Sequence, residues 1–280
     1  MATPFDADGE LDLACAGRLA THLIRNGSDG LVVAGTTGES PTLSDEEKLR
    51  LFETVLGAVG DETTVIAGTG SNDTRHSAGF TRRAAALGVD GVLVVTPYYS
   101  KPSPAGIRAH YAAVAEAAGE TPVIVYNIPS RCVVNIDPDL LAELAADLAP
   151  IVAVKQANNA DLGPIEGMDV LAGNDEIFLE CLRRGGTGGI LVASHLVGTE
   201  MRRVLELEAA GETEAADALD SRLGPVYAAM AVTTNPTPVK AGLELDGLIE
   251  AHTRLPIVGA TEAETAVVAE ALAAARSVNA

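Results

Sequence analysis

A (β/α)₈ barrel followed by a C-terminal helical region is the fold class this sequence predicts. Three observations predict it. Apolar, β-branched segments recur, and the first five begin roughly 30 residues apart, the length of one strand-plus-helix unit. Helical patterns with readable caps lie between them. The 280 residues exceed one ordinary domain but suit a barrel. Strands that are apolar on both faces and alternate with helices imply a parallel sheet. A doubly wound open sheet is the alternative, which the regular repeat count disfavours.

In chain order, "MATPF" stands where the first strand of a closed barrel belongs. It looks like a strand's tail, so that strand is very short, misassigned or truncated. "DGLVVAGT" from Asp29 is the next strand. Ser44 with Glu47 makes a capping box before the helix "DEEKLRLFETVLGAV". The strands "TTVIAGTG" from Thr63 and "DGVLVVTP" from Asp90 follow. Ser103-Pro104 starts the helix "PAGIRAHYAAVAEAAG", with Gly119 as its stop. "PVIVYNIP" from Pro122 is a strand, and Asp137-Pro138 opens "PDLLAELAADLA", closed by Pro150. "IVAVKQA" from Ile151, "DVLAGN" from Asp169 and "GGILVAS" from Gly188 complete the strands. "GGTGG" at 185–189 reads as a tight turn into the last of these, with a backbone anion cradle as the alternative. Beyond Ser194 only helices remain, in "EMRRVLELEAAG", "ETEAADALDSRLGPVYAAMAV", "PTPVKAGLELDG" and "TEAETAVVAEALAAARS". The expected division is a barrel over 1–213 and a helical region over 214–280.

Composition narrows the function classes. The formal charge of −20 disfavours nucleic acid and anionic membranes as partners. Apolar runs are broken well before membrane-spanning length, and the first residues lack a signal-peptide pattern. Cys15, Cys132 and Cys181, odd in number and far apart, fit a reducing cytoplasm rather than a disulfide framework or zinc site. The five histidines show no metal-ligand spacing. "GTGSND" fails the dinucleotide fingerprint, and no P-loop or GxSxG elbow occurs.

In a barrel the C-terminal strand ends build the active site. Here they carry "GTTGES", "GTGSN", "TPYYSKP", "YNIPSR", Lys155, "GND" and "GGILVASH", a mouth of hydroxyls, phenols, one amine and one guanidinium. Lys155 closes an apolar strand. Desolvation penalises an ammonium there, and a neutral amine attacks carbonyls to form a Schiff base. A snorkelling or ion-paired lysine is the alternative, and wins for a lysine considered alone; the surrounding constellation reverses that. Schiff-base chemistry needs a proton shuttle, which Tyr126 and Thr36 are suited to supply. Tyr126 as a core tyrosine, and "GTTG" as a Gly-bounded turn, remain the plainer readings.

Taken together, "GTTGES", "TPYYSKP", "YNIPSR", "VAVK", "GILVASH" and "NPTPVK" span Gly35 to Lys240 in one order. On these the chain resembles the class I pyruvate-dependent lyase and aldolase family. Within it, the chain is most similar to members that condense pyruvate with L-aspartate 4-semialdehyde in lysine and diaminopimelate synthesis. The resemblance implies that Lys155 forms the imine with pyruvate, with Tyr126 over it as proton relay and Thr36 next in that relay. It implies that Tyr99 completes the relay from a neighbouring subunit, and that Thr37 binds the pyruvate carboxylate. Ile190 would offer a backbone contact, Gly173 would lie in the substrate pocket, and Arg131 would fix the carboxylate of the semialdehyde. Arg131 as a surface residue after a Pro-Ser turn is the plainer alternative.

The resemblance further implies no metal or organic cofactor, since pyruvate is bound covalently as substrate, and a homo-oligomer, a tetramer of tight dimers. A sugar-acid lyase of the same family is the nearest rival, disfavoured by Arg131; a non-catalytic small-molecule sensor is the rival from another class. Two departures stand out. Gln156 replaces the family's usual acidic residue after the lysine, and Asn158-Asn159 replace a smaller pair. Weak or absent inhibition by lysine is also expected. Ser40, Asn72 and Tyr98 match an effector pocket, but His76 stands where lysine-sensitive members carry a glutamate, and Asp45 and Lys48 where they carry histidines.

Overall fold

The computed structural model describes residues 1–277 of the 280. In chain order the elements begin α1 (Leu13–Arg25), β1 (Gly30–Val33), α2 (Asp45–Val59), β2 (Thr64–Gly68), α3 (Thr74–Ala85) and β3 (Gly91–Val95). They continue α4 (Pro104–Ala118), β4 (Val123–Asn127), α5 (Pro129–Cys132), α6 (Pro138–Asp147), β5 (Ile151–Gln156) and β6 (Asp169–Ala172). The last are α7 (Phe178–Arg183), β7 (Gly188–Gly189), α8 (Ser194–Ala209), α9 (Thr213–Ala229), α10 (Thr237–Leu245) and α11 (Glu262–Arg276). Two compact units result: Thr64–Leu191, and Met1–Thr63 together with the chain from Val192 onward.

The unit Thr64–Leu191 is a run of βα repeats. Strands β2 to β7 pair in chain order, each parallel to the next. Parallel neighbours need a crossover, and the intervening helices supply it. Register puts Val94, Val125, Val154 and Val170 in one row, and all four are buried. Burying each of these valines stabilises the fold by roughly 1.5–3 kcal/mol. One residue further along, Val95, Tyr126, Lys155 and Leu171 form a second row. Side chains of successive strand residues point to opposite faces. The valine row therefore fixes which way Lys155 points, away from the apolar layer.

The other unit holds β1 and helices α1, α2 and α8–α11. Here α1 packs on α2, α8 on α9, and α11 on both α9 and α10. Leu207, Leu223, Val226, Leu243, Val268 and Leu272 are buried.

The Ser44–Glu47 capping box and the Ser103 cap form as the sequence suggests, and Gly119 ends α4 at φ 63°. Of three expectations, the first two are refined and the last is met. Met1–Phe5 is buried but forms no strand beyond an isolated Phe5–Leu11 bridge; the Ala2 amide donates to His195 Nε2 (3.1 Å) and Thr3 Oγ1 to the Gly38 carbonyl (2.7 Å). The Met1 nitrogen reaches the Val32 carbonyl of β1 (2.6 Å), and side-chain and loop acceptors serve the next two residues. The last strand is only Gly188–Gly189, paired with Leu171 and Ala172 where β6 ends; helix α8 begins at Ser194 and bends at Val197 (φ −135°). "GGTGG" is a turn: Gly185 takes φ 91°, and a Cβ on Gly186 would lie 2.5 Å from Cys181 Sγ.

Candidate functional site

Lys155 is the penultimate residue of β5 and only 8% exposed. It does not snorkel to solvent. Its register partner on β4 is Tyr126, and Nζ lies 4.3 Å from the centre of that ring. Tyr126 is itself well anchored. Its carbonyl accepts from both Thr96 N (3.0 Å) and Thr96 Oγ1 (2.9 Å), and Tyr111 OH donates to the Val94 carbonyl (3.0 Å). Burial raises the Tyr111 phenol well above its usual range and pushes the Cys132 thiol up to about 11. Neither group ionises near neutrality, so both are structural. A thiol held protonated is no nucleophile.

The residue after the lysine points to the other face, where it joins a polar network. Gln156 Oε1 accepts from Asn127 Nδ2 (3.0 Å) and from the Asn158 amide (3.0 Å). Asn127 Nδ2 also donates to Asn135 Oδ1 (2.8 Å), while Asn135 Nδ2 and Asn158 Nδ2 both reach Asp161 Oδ2 (2.8 Å each). Asn159 Oδ1 accepts from Asn174 Nδ2 (2.9 Å). Gln156, Asn158 and Asn159 therefore tie the strand ends together from behind, and Gln156 does not share the face that carries the amine.

The loops of the same unit supply four more expected residues. Tyr99 is 87% exposed in a left-handed conformation (φ 71°), presenting its ring outward. Arg131 lies on the single turn α5 and is exposed, with no ion pair among the described residues. The residue that ends this turn, Val133, is held at φ 65°. A β-branched residue in that conformation is strained, and such strain persists where surroundings over-determine the backbone. Gly173 follows β6. A Cβ there would come within 2.9 Å of the Gln156 carbonyl and 2.8 Å of Ala157 Cβ, so only glycine fits. Ile190 follows β7, its amide taken up by the Ala172 carbonyl (2.9 Å).

Thr36 and Thr37 belong to the other unit, in the turn after β1, where the Glu39 and Ser40 amides close onto the Thr36 and Gly35 carbonyls (3.1 and 3.2 Å). Two partners escaped the sequence reading. Asn235 Nδ2 donates to Thr37 Oγ1 (3.0 Å). Glu39, at φ 55°, pairs with Lys240 of α10: Nζ is 2.5 Å from Oε1, with the side chains 1% and 0% exposed. Lys240 Nζ also donates to the His252 carbonyl (2.6 Å) and lies 4.5 Å from the Phe5 ring centre. Burial lowers the Lys240 pKa and Glu39 opposes that shift. Beside them, the Arg254 amide donates to Glu39 Oε2 (3.0 Å), and its guanidinium meets Glu47 Oε1 (2.6 Å), Gly9 O and Thr42 O. That guanidinium holds the Glu47 carboxyl down at about 2. One signal was present: Lys240 sits inside the apolar run "PVKAGL", and a buried ammonium needs a partner.

The chain matches the model of the dihydrodipicolinate synthetase family over residues 1–275. It is 49% identical to the 4-hydroxy-tetrahydrodipicolinate synthase of Symbiobacterium thermophilum, covering 98% of this chain and 96% of that one. Among solved structures it resembles the lysine-bound enzyme of this family from Cyanidioschyzon merolae, at 39% identity and a TM-score of 0.95, over 98% and 96% of the two chains. It also resembles a structure described as the first monomeric dihydrodipicolinate synthase variant, at 36% identity and a TM-score of 0.92, over 98% and 94%. The (β/α)₈ barrel expected from the sequence is the fold of these relatives.

Proposed function

Because the chain belongs to the dihydrodipicolinate synthetase family, we propose that it condenses pyruvate with L-aspartate 4-semialdehyde to give 4-hydroxy-tetrahydrodipicolinate, early in lysine and diaminopimelate synthesis. The observation that carries this is the Lys155 amine, buried against the face of Tyr126 at 4.3 Å.

The neutral Lys155 amine attacks the ketone carbon of pyruvate. Loss of water gives the imine, protonated on nitrogen. The cationic nitrogen draws electrons from the methyl group, which releases a proton to leave an enamine. The enamine carbon then attacks the aldehyde carbon of the second substrate, whose oxygen takes up a proton. The amino group of the new chain attacks the imine carbon and expels Lys155, which closes the ring and restores the free amine. The iminium is the electron sink, so no external cofactor is required. Each step moves a proton, and Tyr126 is the group that carries it, with Thr36 next in the relay.

Thr37 binds the pyruvate carboxylate. Arg131 pairs with the carboxylate of the semialdehyde, a task that suits a planar guanidinium with no protein carboxylate already on it. Ile190 offers a backbone contact, and Gly173 lies in the substrate pocket, where the absence of a Cβ lets the chain pack against Gln156 and Ala157. The enzyme acts as a homo-oligomer, a tetramer of tight dimers, in which Tyr99 completes the relay of a neighbour. Its 87% exposure supports that role. Residues 1–213 form the catalytic barrel and 214–280 the appended helices. Among the described residues no helix is long and apolar enough to cross a membrane, and the three cysteines are free, which supports a cytoplasmic enzyme.

Steady-state rates with pyruvate and either aspartate semialdehyde or sugar-acid aldehydes test this reading. Turnover with the semialdehyde is expected. Preference for a sugar-derived aldehyde would overturn it in favour of a sugar-acid lyase.

A further inference from the structure

We propose that Asn235, in the segment leading into α10, is a positioning residue that sets the direction of the Thr37 hydroxyl. The proposal rests on the reading of Thr37 as the pyruvate-carboxylate ligand. Asn235 Nδ2 lies 3.0 Å from Thr37 Oγ1, with the amide nitrogen donating. A hydroxyl has one proton and two lone pairs. With one lone pair engaged by the amide, the Thr37 proton must point away from Asn235. The hydroxyl is thereby held as a donor, the role an anionic carboxylate requires.

Two further observations support this. Asn235 Oδ1 is buried and has no hydrogen-bond partner among the described residues. Buried polar atoms without a partner are uncommon, and a functional role is one of the explanations for them. The same two segments are also joined a second time. Glu39, two residues after Thr37, pairs with Lys240, five residues after Asn235, at 2.5 Å and out of reach of solvent. Two ties fix a relative position where one would leave a pivot. Helix α10 and the segment leading into it therefore act on the "GTTGES" turn as a splint, and Asn235 is that segment's contact with Thr37.

The discriminating variant is Asn235→Asp. It keeps the shape but offers only acceptors, so the Thr37 proton turns towards it and away from pyruvate. A role in packing alone predicts that this isostere is the mildest change. The positioning role predicts that it is worse than Asn235→Ala. KM for pyruvate should rise about tenfold in Asn235→Ala and further in Asn235→Asp, while kcat stays within about threefold. Thr37→Val should raise KM by itself, and adding Asn235→Ala to it should change KM little, because the hydroxyl to be oriented is gone. Thermal melting of every variant checks folding. Should Asn235→Asp not fold, Asn235→Ser is the substitute, and a pyruvate KM below that of Asn235→Ala is then expected, because a serine hydroxyl is still able to donate.

If Thr37→Val raises KM while Asn235→Ala and Asn235→Asp do not, Asn235 has no positioning role and Thr37 keeps its own. If Thr37→Val leaves KM unchanged, both the reading of Thr37 and the proposal fall.

Discussion

Replacing Lys240 by methionine removes the ammonium from a pair whose two side chains are 0% and 1% exposed. At 2.5 Å the pair's attraction is roughly 6–7 kcal/mol for an effective dielectric near 20. The net loss is smaller than this, because the free ions were solvated in the unfolded chain. Breaking a buried pair by removing one partner costs about 3–5 kcal/mol, since the other charge stays behind uncompensated. Here Glu39 would keep one hydrogen bond, from the Arg254 amide. For a chain of this size each kcal/mol moves the melting temperature by about 2–4 °C, so Lys240→Met should lower it by roughly 6–20 °C. Adding Glu39→Gln removes the stranded charge and should restore most of the loss. The assay is thermal unfolding of wild type, single and double variants at one protein concentration. A single variant within 2 °C of wild type, or a double no better than the single, would refute the reasoning.

Tyr126→Phe should lower kcat by about 10²–10⁴ while borohydride still traps pyruvate on the enzyme, because the ring remains and only the proton carrier is lost; a kcat within tenfold of wild type counts against the relay. Burial lowers the His110 pKa to about 4 and that of His195 to about 3, against 6.5 when unfolded. Below 6.5 the unfolded state therefore binds more protons, so this stability is present above that pH and lost as pH falls towards 4 and 3. Melting temperatures should drop through that window, less steeply in His110→Gln; identical slopes would contradict the assignment. Lysine at sub-millimolar concentration should leave initial rates at saturating pyruvate unchanged, because His76, whose ring stacks on Phe80 with centroids 6.0 Å apart, replaces the expected glutamate. Half-inhibition in that range would mean that other groups bind the effector's amine.

Much of the fold was legible because its signals are local. Ser44 and Glu47 sit three residues apart, and the Val-rich strands read as buried on both faces from their own composition. Lys155 was legible for the same reason: one charge interrupts an apolar run, and its neighbour in space, Tyr126, lies at the same height on the adjoining strand. The partners of Thr37 and Glu39 were not legible. Asn235 and Lys240 lie about two hundred residues away in sequence, and no periodicity links them to the turn. Gln156 follows Lys155 directly, so strand alternation alone turns it to the opposite face, but its partners there, Asn127 and Asn158, become visible only in the structure. The beginning of the chain stays open in the sequence: an apolar "MATPF" looks like a strand's tail, and in the structure only the Met1 nitrogen reaches β1, at the Val32 carbonyl, while the Ala2 amide and the Thr3 hydroxyl find acceptors in a histidine ring and a loop carbonyl.

Incubation with pyruvate and borohydride, followed by peptide mass mapping, tests the Schiff-base mechanism most directly. The account predicts one adduct, with the mass of the reduced pyruvate imine, on the peptide that contains Lys155. It predicts none in Lys155→Arg, whose guanidinium stays protonated near neutral pH. Pyruvate trapped on another lysine, or on the Lys155→Arg variant, would contradict it.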